Sequence, residues 1–247
     1  MLGSISAEYY QCTRCRLVQV DNPHWLEVAY SSDRIHADVG AVERCLSLRA
    51  PVQAIIQQYF DADAQFLDYG GGEGLFVRLM RDRGFDFYWS DKYATNAYAK
   101  GFEATSDRSY ELVTGFEMFE HLPNPKETVA EMLTLSDSIL FSTELLPKSN
   151  PRPDEWWYYA PFGGQHITIY SIQSLRILAE MFDCRLATNN KSLHLLTRKR
   201  RIGSRTFNLI TDPRIASAIN RVRRRPSLIR QDFAMLAKRL ISGARNG

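Results

Sequence analysis

Between residues 65 and 199 short apolar runs alternate with helix-patterned stretches, an order that few folds accommodate. QFLDY is followed by LFVRLMRDRG and then FDFYWSD; ELVTGFEM is followed by PKETVAEMLTL and then DSILFSTE. Strands separated by helices pair in parallel, with the helices lying across the faces of the sheet. The pattern therefore predicts an α/β, doubly wound, mostly parallel sheet. After the helix-patterned SIQSLRILAEMF, the run RLATNNKSLHLLTRK reads as two strands joined through Asn189 and Asn190. Such a closing hairpin places an antiparallel strand in the sheet.

Around this segment lie two regions of different character. Residues 1–39 form an irregular lead-in with a single C-x-x-C, and 40–60 carry a helical pattern that Pro51 interrupts. Residues 40–199 are read as the ligand-binding domain, and 200–247 as a basic, helical extension. Residues 198–247 hold 14 of the 31 lysines and arginines against two acids, Asp212 and Asp232, for a net charge of +12 within a chain whose total is +3. The 45% hydrophobic content suffices for one large domain with an appendage. No run approaches the roughly 18 apolar residues of a membrane span, and no export signal opens the sequence. Four scattered cysteines fit thiols or metal ligands in a reducing, cytoplasmic setting better than a disulfide framework.

The stretch FLDYGGGEG at 66–74 directly follows a predicted strand. Glycines at the first strand-to-helix turn let the backbone turn tightly and approach a ligand. A dinucleotide fingerprint is excluded by spacing, because Gly70-x-Gly72 is followed by Leu75 where the third glycine belongs; the pattern present is Gly70-x-Gly72-x-Gly74. Glu73 would also repel a pyrophosphate at the helix start. Asp91, 21 residues beyond Gly70, stands where an acid accepts ribose hydroxyls. The pattern suggests an adenosine without a diphosphate.

At these residues, and over about 40–199, the chain resembles the class I S-adenosylmethionine-dependent methyltransferases. The resemblance rests on FLDYGGGEG, Asp91, ELVTGFEMFEHLPNP and the closing hairpin. The E-x-x-E-H-x-x-x-P run at Glu117, Glu120, His121 and Pro125 is similar to that of small-molecule O-methyltransferases, including those of ubiquinone biosynthesis. This implies a Rossmann-like, seven-stranded sheet with S-adenosylmethionine across the carboxyl ends of the strands. Asp68, Tyr69, Gly70, Gly72, Gly74, Asp91 and Glu117 are then the expected cofactor residues.

Transfer to a hydroxyl needs a base, and His166 in PFGGQHITIYS is the first choice, since imidazole accepts a proton near neutral pH. His121 and Glu144 follow, each with a structural role as the alternative. The aromatic cluster Trp156, Trp157, Tyr158 and Tyr159 suits a ring-shaped acceptor, a small molecule or glycan, or else covers the sheet. Cys12 and Cys15 make half of a zinc site, which His24, His36 or Cys45 could complete. In the tail, Ile229, Phe233, Leu236 and Leu240 recur at helical spacing beside cations. That stripe either packs against the domain or docks on an anionic membrane surface. An RNA methyltransferase using the RVRRRP run is an alternative, although no aromatics interleave with those arginines for stacking. A methyltransferase-like scaffold without turnover is another.

Overall fold

The computed structural model describes residues 1–30, 39–105, 107–199 and 202–243. Three short strands, β1 (Tyr9–Gln11), β2 (Val18–Val20) and β7 (Thr168–Ile169), form a small antiparallel sheet. The central sheet comprises β3 (Gln65–Tyr69), β4 (Asp86–Ser90), β5 (Leu112–Gly115), β6 (Ser138–Ser142), β8 (Arg185–Thr188) and β9 (Leu193–Thr197). Its order is β4-β3-β5-β6-β9-β8, with β9 antiparallel to both β6 and β8 and the other pairs parallel. Among the described residues this sheet has six strands rather than the seven the resemblance implies. Beyond β4 the seventh position is held by one parallel bridge between Trp89 and Glu103. The Glu103 carboxylate accepts hydrogen bonds from Asn96 and from the Gly101 amide, curling the chain into a turn where a strand would otherwise extend.

Among the described residues eight helices follow in chain order: α1 (Leu26–Ala29), α2 (Ala41–Tyr59), α3 (Leu75–Arg81), α4 (Pro125–Leu135), α5 (Ile172–Met181), α6 (Ser204–Ile210), α7 (Pro213–Val222) and α8 (Ile229–Gly243). Successive strand residues point to opposite faces. Phe66, Leu112 and Leu140 pack with Val52 and Ile56 of α2, Phe76 and Met80 of α3 and Phe207 of α6. Their neighbours Leu67, Val113 and Ile139 pack with Val129 and Met132 of α4 and Leu175 of α5 on the other face. Burial on both faces is why these strands read as continuous apolar runs.

Pro51 does not interrupt α2, which continues through it. A mid-helix proline costs about 3 kcal/mol. Val52, Ile55 and Ile56 are fully buried just after it, each contributing about 1.5–3 kcal/mol, so packing outweighs the lost hydrogen bond. The basic extension is joined to the same core, since Ile202, Phe207 and Ile210 are buried in it.

The final helix docks differently from the amphipathic expectation. Buried Asp232 bridges Arg78 and Arg81 of α3 at 2.8 and 2.7 Å, and Leu236 lies over Gly101. Ile229, Phe233 and Leu240 remain 52%, 74% and 75% exposed. The predicted stripe is therefore split: Leu236 faces the domain and the other three face outward. Among the described residues no helix is long and apolar enough to cross a membrane.

Candidate active site

The glycine loop is held from both sides by the end of β4. The Gly70 and Gly71 amides donate to the Ser90 carbonyl at 2.8 and 3.1 Å. The Gly72 amide donates to Asp91 Oδ2 at 2.9 Å, and Trp89 Nε1 donates to the Gly72 carbonyl at 2.8 Å. Gly72 lies at φ +55, and a Cβ there would meet no atom within 4 Å. Left-handed backbone beside open space is the cradle a nucleoside needs to approach the main chain. At Gly74 the need is steric as well, since φ is +86 and a Cβ would stand 2.9 Å from both the Ala99 Cβ and the Asn96 Oδ1. Asp91 Oδ1 accepts from the Tyr93 and Ala94 amides at 2.7 and 2.8 Å. With Oδ2 already taking Gly72, one lone pair of that oxygen remains open.

Beneath the loop, Asp68 is buried and accepts from Thr114 Oγ1 at 2.7 Å. Burial pushes its carboxyl up to about 7 against the pull of that hydrogen bond. Burial first, and then Glu131 of α4, raises the Tyr69 phenol. Glu117 has φ +52; its amide donates to Ser142 Oγ, which donates back to Glu117 Oε1 at 2.7 Å, and Arg44 Nε lies 3.3 Å from Oε2. This carboxylate is thereby committed to β6 and α2.

A second cluster lies beyond Glu117. Residues Phe119–His121 form one 3-10 turn, and the chain at 166–170 is laced to it. The Ile167 amide donates to the Glu120 carbonyl at 2.9 Å, Thr168 Oγ1 to the Leu122 carbonyl at 2.6 Å and the Tyr170 hydroxyl to the Phe119 carbonyl at 3.1 Å. This brings the His121 and His166 rings to 5.1 Å between centroids. Each of Glu120, His121 and His166 offers a ligand atom within 4.8 Å of the others, and this is the only such group of three among the described residues. His166 Nδ1 faces the Tyr158 carbonyl, which can only accept, so Nδ1 carries a proton. Burial first, then His166 and Arg44, push His121 down to about 3, keeping it neutral. Glu120 is fully buried; burial and then the charge of Glu117 raise its carboxyl to about 8. Burial and Glu117 also raise Glu144, whose amide donates to the Tyr158 hydroxyl.

The lead-in closes over this cluster, a role the sequence did not suggest. Trp25 Nε1 donates to the Gly164 carbonyl at 2.7 Å, Gln165 Nε2 to the Ala29 carbonyl at 2.9 Å and the Tyr9 hydroxyl to the His166 carbonyl at 2.9 Å. Tyr30 stacks on Tyr93 at 4.7 Å and meets His121 edge-on at 6.1 Å, linking the Asp91 loop to the histidines.

The four aromatic residues at 156–159 do not share one face. Tyr158 and Tyr159 are buried with Val18 and Ile169, Trp156 packs against them and Trp157 is exposed. Tyr158 instead supports the cluster, its ring 4.7 Å from His166. Cys12 and Cys15 flank the turn between β1 and β2, and no third donor joins them among the described residues. His36 lies outside the described residues. His194 is structural: Thr188 and the Thr143 carbonyl hold both of its nitrogens within the sheet.

A family model described as a methyltransferase domain matches residues 44–189, more than half of the chain. Among solved structures, a chain from the complex between the Haloferax volcanii Trm112 methyltransferase activator and a protein assigned as a methyltransferase superposes with a TM-score of 0.50. Identity is 11%, and the match covers 69% of this chain and 98% of that one. An O-methyltransferase family protein from Burkholderia thailandensis gives a TM-score of 0.49 at 10% identity; the match covers 64% of this chain and 56% of the other. For the magnesium protoporphyrin IX methyltransferase of Synechocystis PCC 6803 with bound S-adenosylmethionine the values are 0.44 and 13%, with coverage of 71% and 95%. No curated protein matches in sequence. With its glycine cradle, its acid at the end of β4 and a family match spanning the sheet, the chain belongs to the methyltransferase-domain family and is a class I, S-adenosylmethionine-dependent methyltransferase.

Proposed function

We propose that the chain transfers the methyl group of S-adenosylmethionine to a hydroxyl oxygen of a small molecule or of a glycan or lipid-linked intermediate. The observation that carries this reading is the cluster of two imidazoles and a buried carboxyl at His121, His166 and Glu120. Gly70, Gly72 and Gly74 admit the nucleoside, and Asp91 Oδ2 takes a ribose hydroxyl. The sulfonium activates its own methyl group, so the protein's main task is to hold the acceptor oxygen in line with the S–CH₃ bond, an alignment worth about 7–11 kcal/mol. A hydroxyl is a poor nucleophile until it loses its proton. The cluster of Glu120, His121 and His166 is where that loss is promoted, with Glu144 at its edge. The test is a screen of sugar and phenolic acceptors with methyl-labelled cofactor, followed by identification of the labelled atom. Label on oxygen is expected; label only on nitrogen or carbon overturns the reading.

The acceptor class has a second support in α8. Exposed Ile229, Phe233 and Leu240 stand next to exposed Arg230 and Lys238 on a helix fixed to the domain through Asp232. This arrangement suits an anionic lipid surface, each cation contributing about 1 kcal/mol near the headgroups. The chain is expected to sediment with anionic and not with neutral vesicles, less so at high salt, and Phe233→Asp with Leu240→Asp should abolish this. Failure of the unmodified chain to bind anionic vesicles at low salt removes the lipid-linked acceptor from the proposal.

A further inference from the structure

We infer that Asp232 of α8 is a positioning residue for cofactor binding, because it holds that helix against the 96–104 segment that walls the glycine loop. The inference rests on the reading of the glycine loop and Asp91 as the cofactor cradle. The wall itself is weakly secured from the sheet side. Where a strand would lie beside β4 it makes one bridge, with the Trp89 amide donating to the Phe102 carbonyl at 2.8 Å and the Ala104 amide to the Trp89 carbonyl at 2.7 Å. Two hydrogen bonds return less than the backbone entropy that a segment of this length loses on ordering, so it depends on further contacts.

Toward the ligand side, the wall touches the glycine loop directly. The Ala97 and Tyr98 amides donate to the Glu73 carbonyl at 2.9 and 3.0 Å, and Ala99 and Asn96 occupy the space that a Cβ on Gly74 would need. Asn96 is fixed in turn, its Oδ1 accepting from the Ala99 amide and its Nδ2 donating to Glu103, each at 2.8 Å. Trp89, whose backbone carries the bridge, donates Nε1 to the Gly72 carbonyl. A shift of the wall therefore moves the main chain at Glu73 and the ring of Trp89, and with them the glycines on either side of Glu73.

On its outer side the wall is covered by one face of α8. Leu236 lies over Gly101, where φ is +87 and a Cβ would stand 2.5 Å from Leu236 Cδ2, and Arg239 Nη1 donates to the Gly101 carbonyl at 3.2 Å. Asp232, one turn earlier on the same face, is buried and takes both Nε and Nη2 of Arg81 at 2.9 and 2.7 Å, with Arg78 Nη2 at 2.8 Å. Arg81 is buried as well. Its guanidinium carbon stands 3.7 Å from the centroid of the Phe102 ring, and its Nη1 donates to the Phe87 carbonyl at 3.0 Å.

One carboxylate thus fixes two things at once, the docking of α8 and the placement of Arg81 over Phe102. A forked, buried Arg–carboxylate contact is directional, and removal of one partner leaves the other charge buried without compensation. Without Asp232, Arg81 retains Asp86 and Arg78 retains Asp82, but the charge that ties α8 to both is gone. The helix then lifts from Gly101 or Arg81 turns off Phe102, and either change frees the wall. The coupling is reciprocal: what docked α8 adds to ligand affinity, bound ligand returns to the docking of α8.

The test is calorimetric titration of S-adenosylhomocysteine into the full-length protein, at a temperature where every variant is folded by circular dichroism. Asp232→Asn is expected to lower affinity about tenfold, and Leu236→Ala to lower it less. Leu178→Ala, which loosens α5 beside β8 at the opposite edge of the sheet, should leave affinity unchanged and so separates positioning from lost stability. In the original chain, hydrogen exchange of amides 232–240 should slow on ligand binding by a factor similar to the Asp232→Asn loss. Affinity of Asp232→Asn within about twofold of the original overturns the inference, as does an equal loss in Leu178→Ala or exchange in α8 that ignores the ligand. If Asp232→Asn does not fold, Leu236→Ala and the exchange measurement decide by the same criteria. Asp91→Ala distinguishes the two readings: weakened binding there with none at Asp232 removes the positioning role alone, whereas unchanged binding in Asp91→Ala removes the cradle and the positioning role together.

Discussion

The two halves of the active site are built by opposite means. On the cofactor side two carboxylates are already engaged: Asp91 takes three backbone amides and Asp68 takes Thr114. That half is a finished frame of main-chain hydrogen bonds between the ends of β3 and β4. On the acceptor side Glu120 is buried with no hydrogen-bond partner, and the side chains that converge there come from segments more than a hundred residues apart. In the proposed reading the first half binds a constant ligand through backbone geometry. The second holds chemical potential in side chains, where substitution alters reactivity without disturbing the frame.

If this division is right, the largest effect of a single change lies on the acceptor side. His166→Ala is expected to lower turnover by roughly 10²–10⁴ while leaving S-adenosylhomocysteine affinity unchanged; near-normal turnover would dissolve the distinction. Asp68 gives the next largest effect, and it concerns the frame itself. Its folded carboxyl is near 7 against an ordinary 3.8, so folding favours the protonated form. The contribution is fully favourable below about pH 4, declines as pH rises from about 4 to 7 and stays lost above that. The cumulative change is on the order of 4 kcal/mol. Denaturant unfolding of cofactor-free protein at pH 5 and pH 8 should show this slope, and Asp68→Asn, which can still accept from Thr114, should flatten it. The smallest expected effect is Asp91→Ala, which should weaken cofactor binding by about 1–3 kcal/mol with turnover at saturation little changed. A fall in saturated turnover instead would mean that the two halves communicate.

The same division explains what could be read in advance. The glycine loop and Asp91 lie within 26 consecutive residues, and backbone requirements there are written directly as glycines at fixed spacing. The parallel strands are likewise visible as apolar runs. The acceptor cluster is not periodic in anything: Tyr9, Trp25, Tyr30 and Tyr158 reach it through contacts that only the folded chain creates. Glu120 did carry a local signal, since it is an acid flanked by Phe119 and followed closely by Leu122, both buried, yet a buried acid and an exposed one look alike in a short turn. The tail teaches a related lesson. Helical spacing identified the apolar stripe of α8, but the docked side is set by Asp232, one of two acids in a +12 segment, which finds Arg78 and Arg81. A rare charge of opposite sign was the informative residue, and hydrophobic spacing pointed elsewhere.

The pairing of β2 with β7 joins Val18 to Ile169. During synthesis the lead-in emerges first and must wait for about 150 further residues before its partner strand exists, a delay of some ten to thirty seconds at typical elongation rates. The glycine loop needs only the β3–β4 segment and its helix, and its contacts become available well before then. A ribosome-bound chain halted near residue 160 would thus contain the nucleoside cradle without the histidine cluster. In the proposed reading, reactivity toward the acceptor is acquired after the cradle, when β2 and β7 join the lead-in to the second half of the segment.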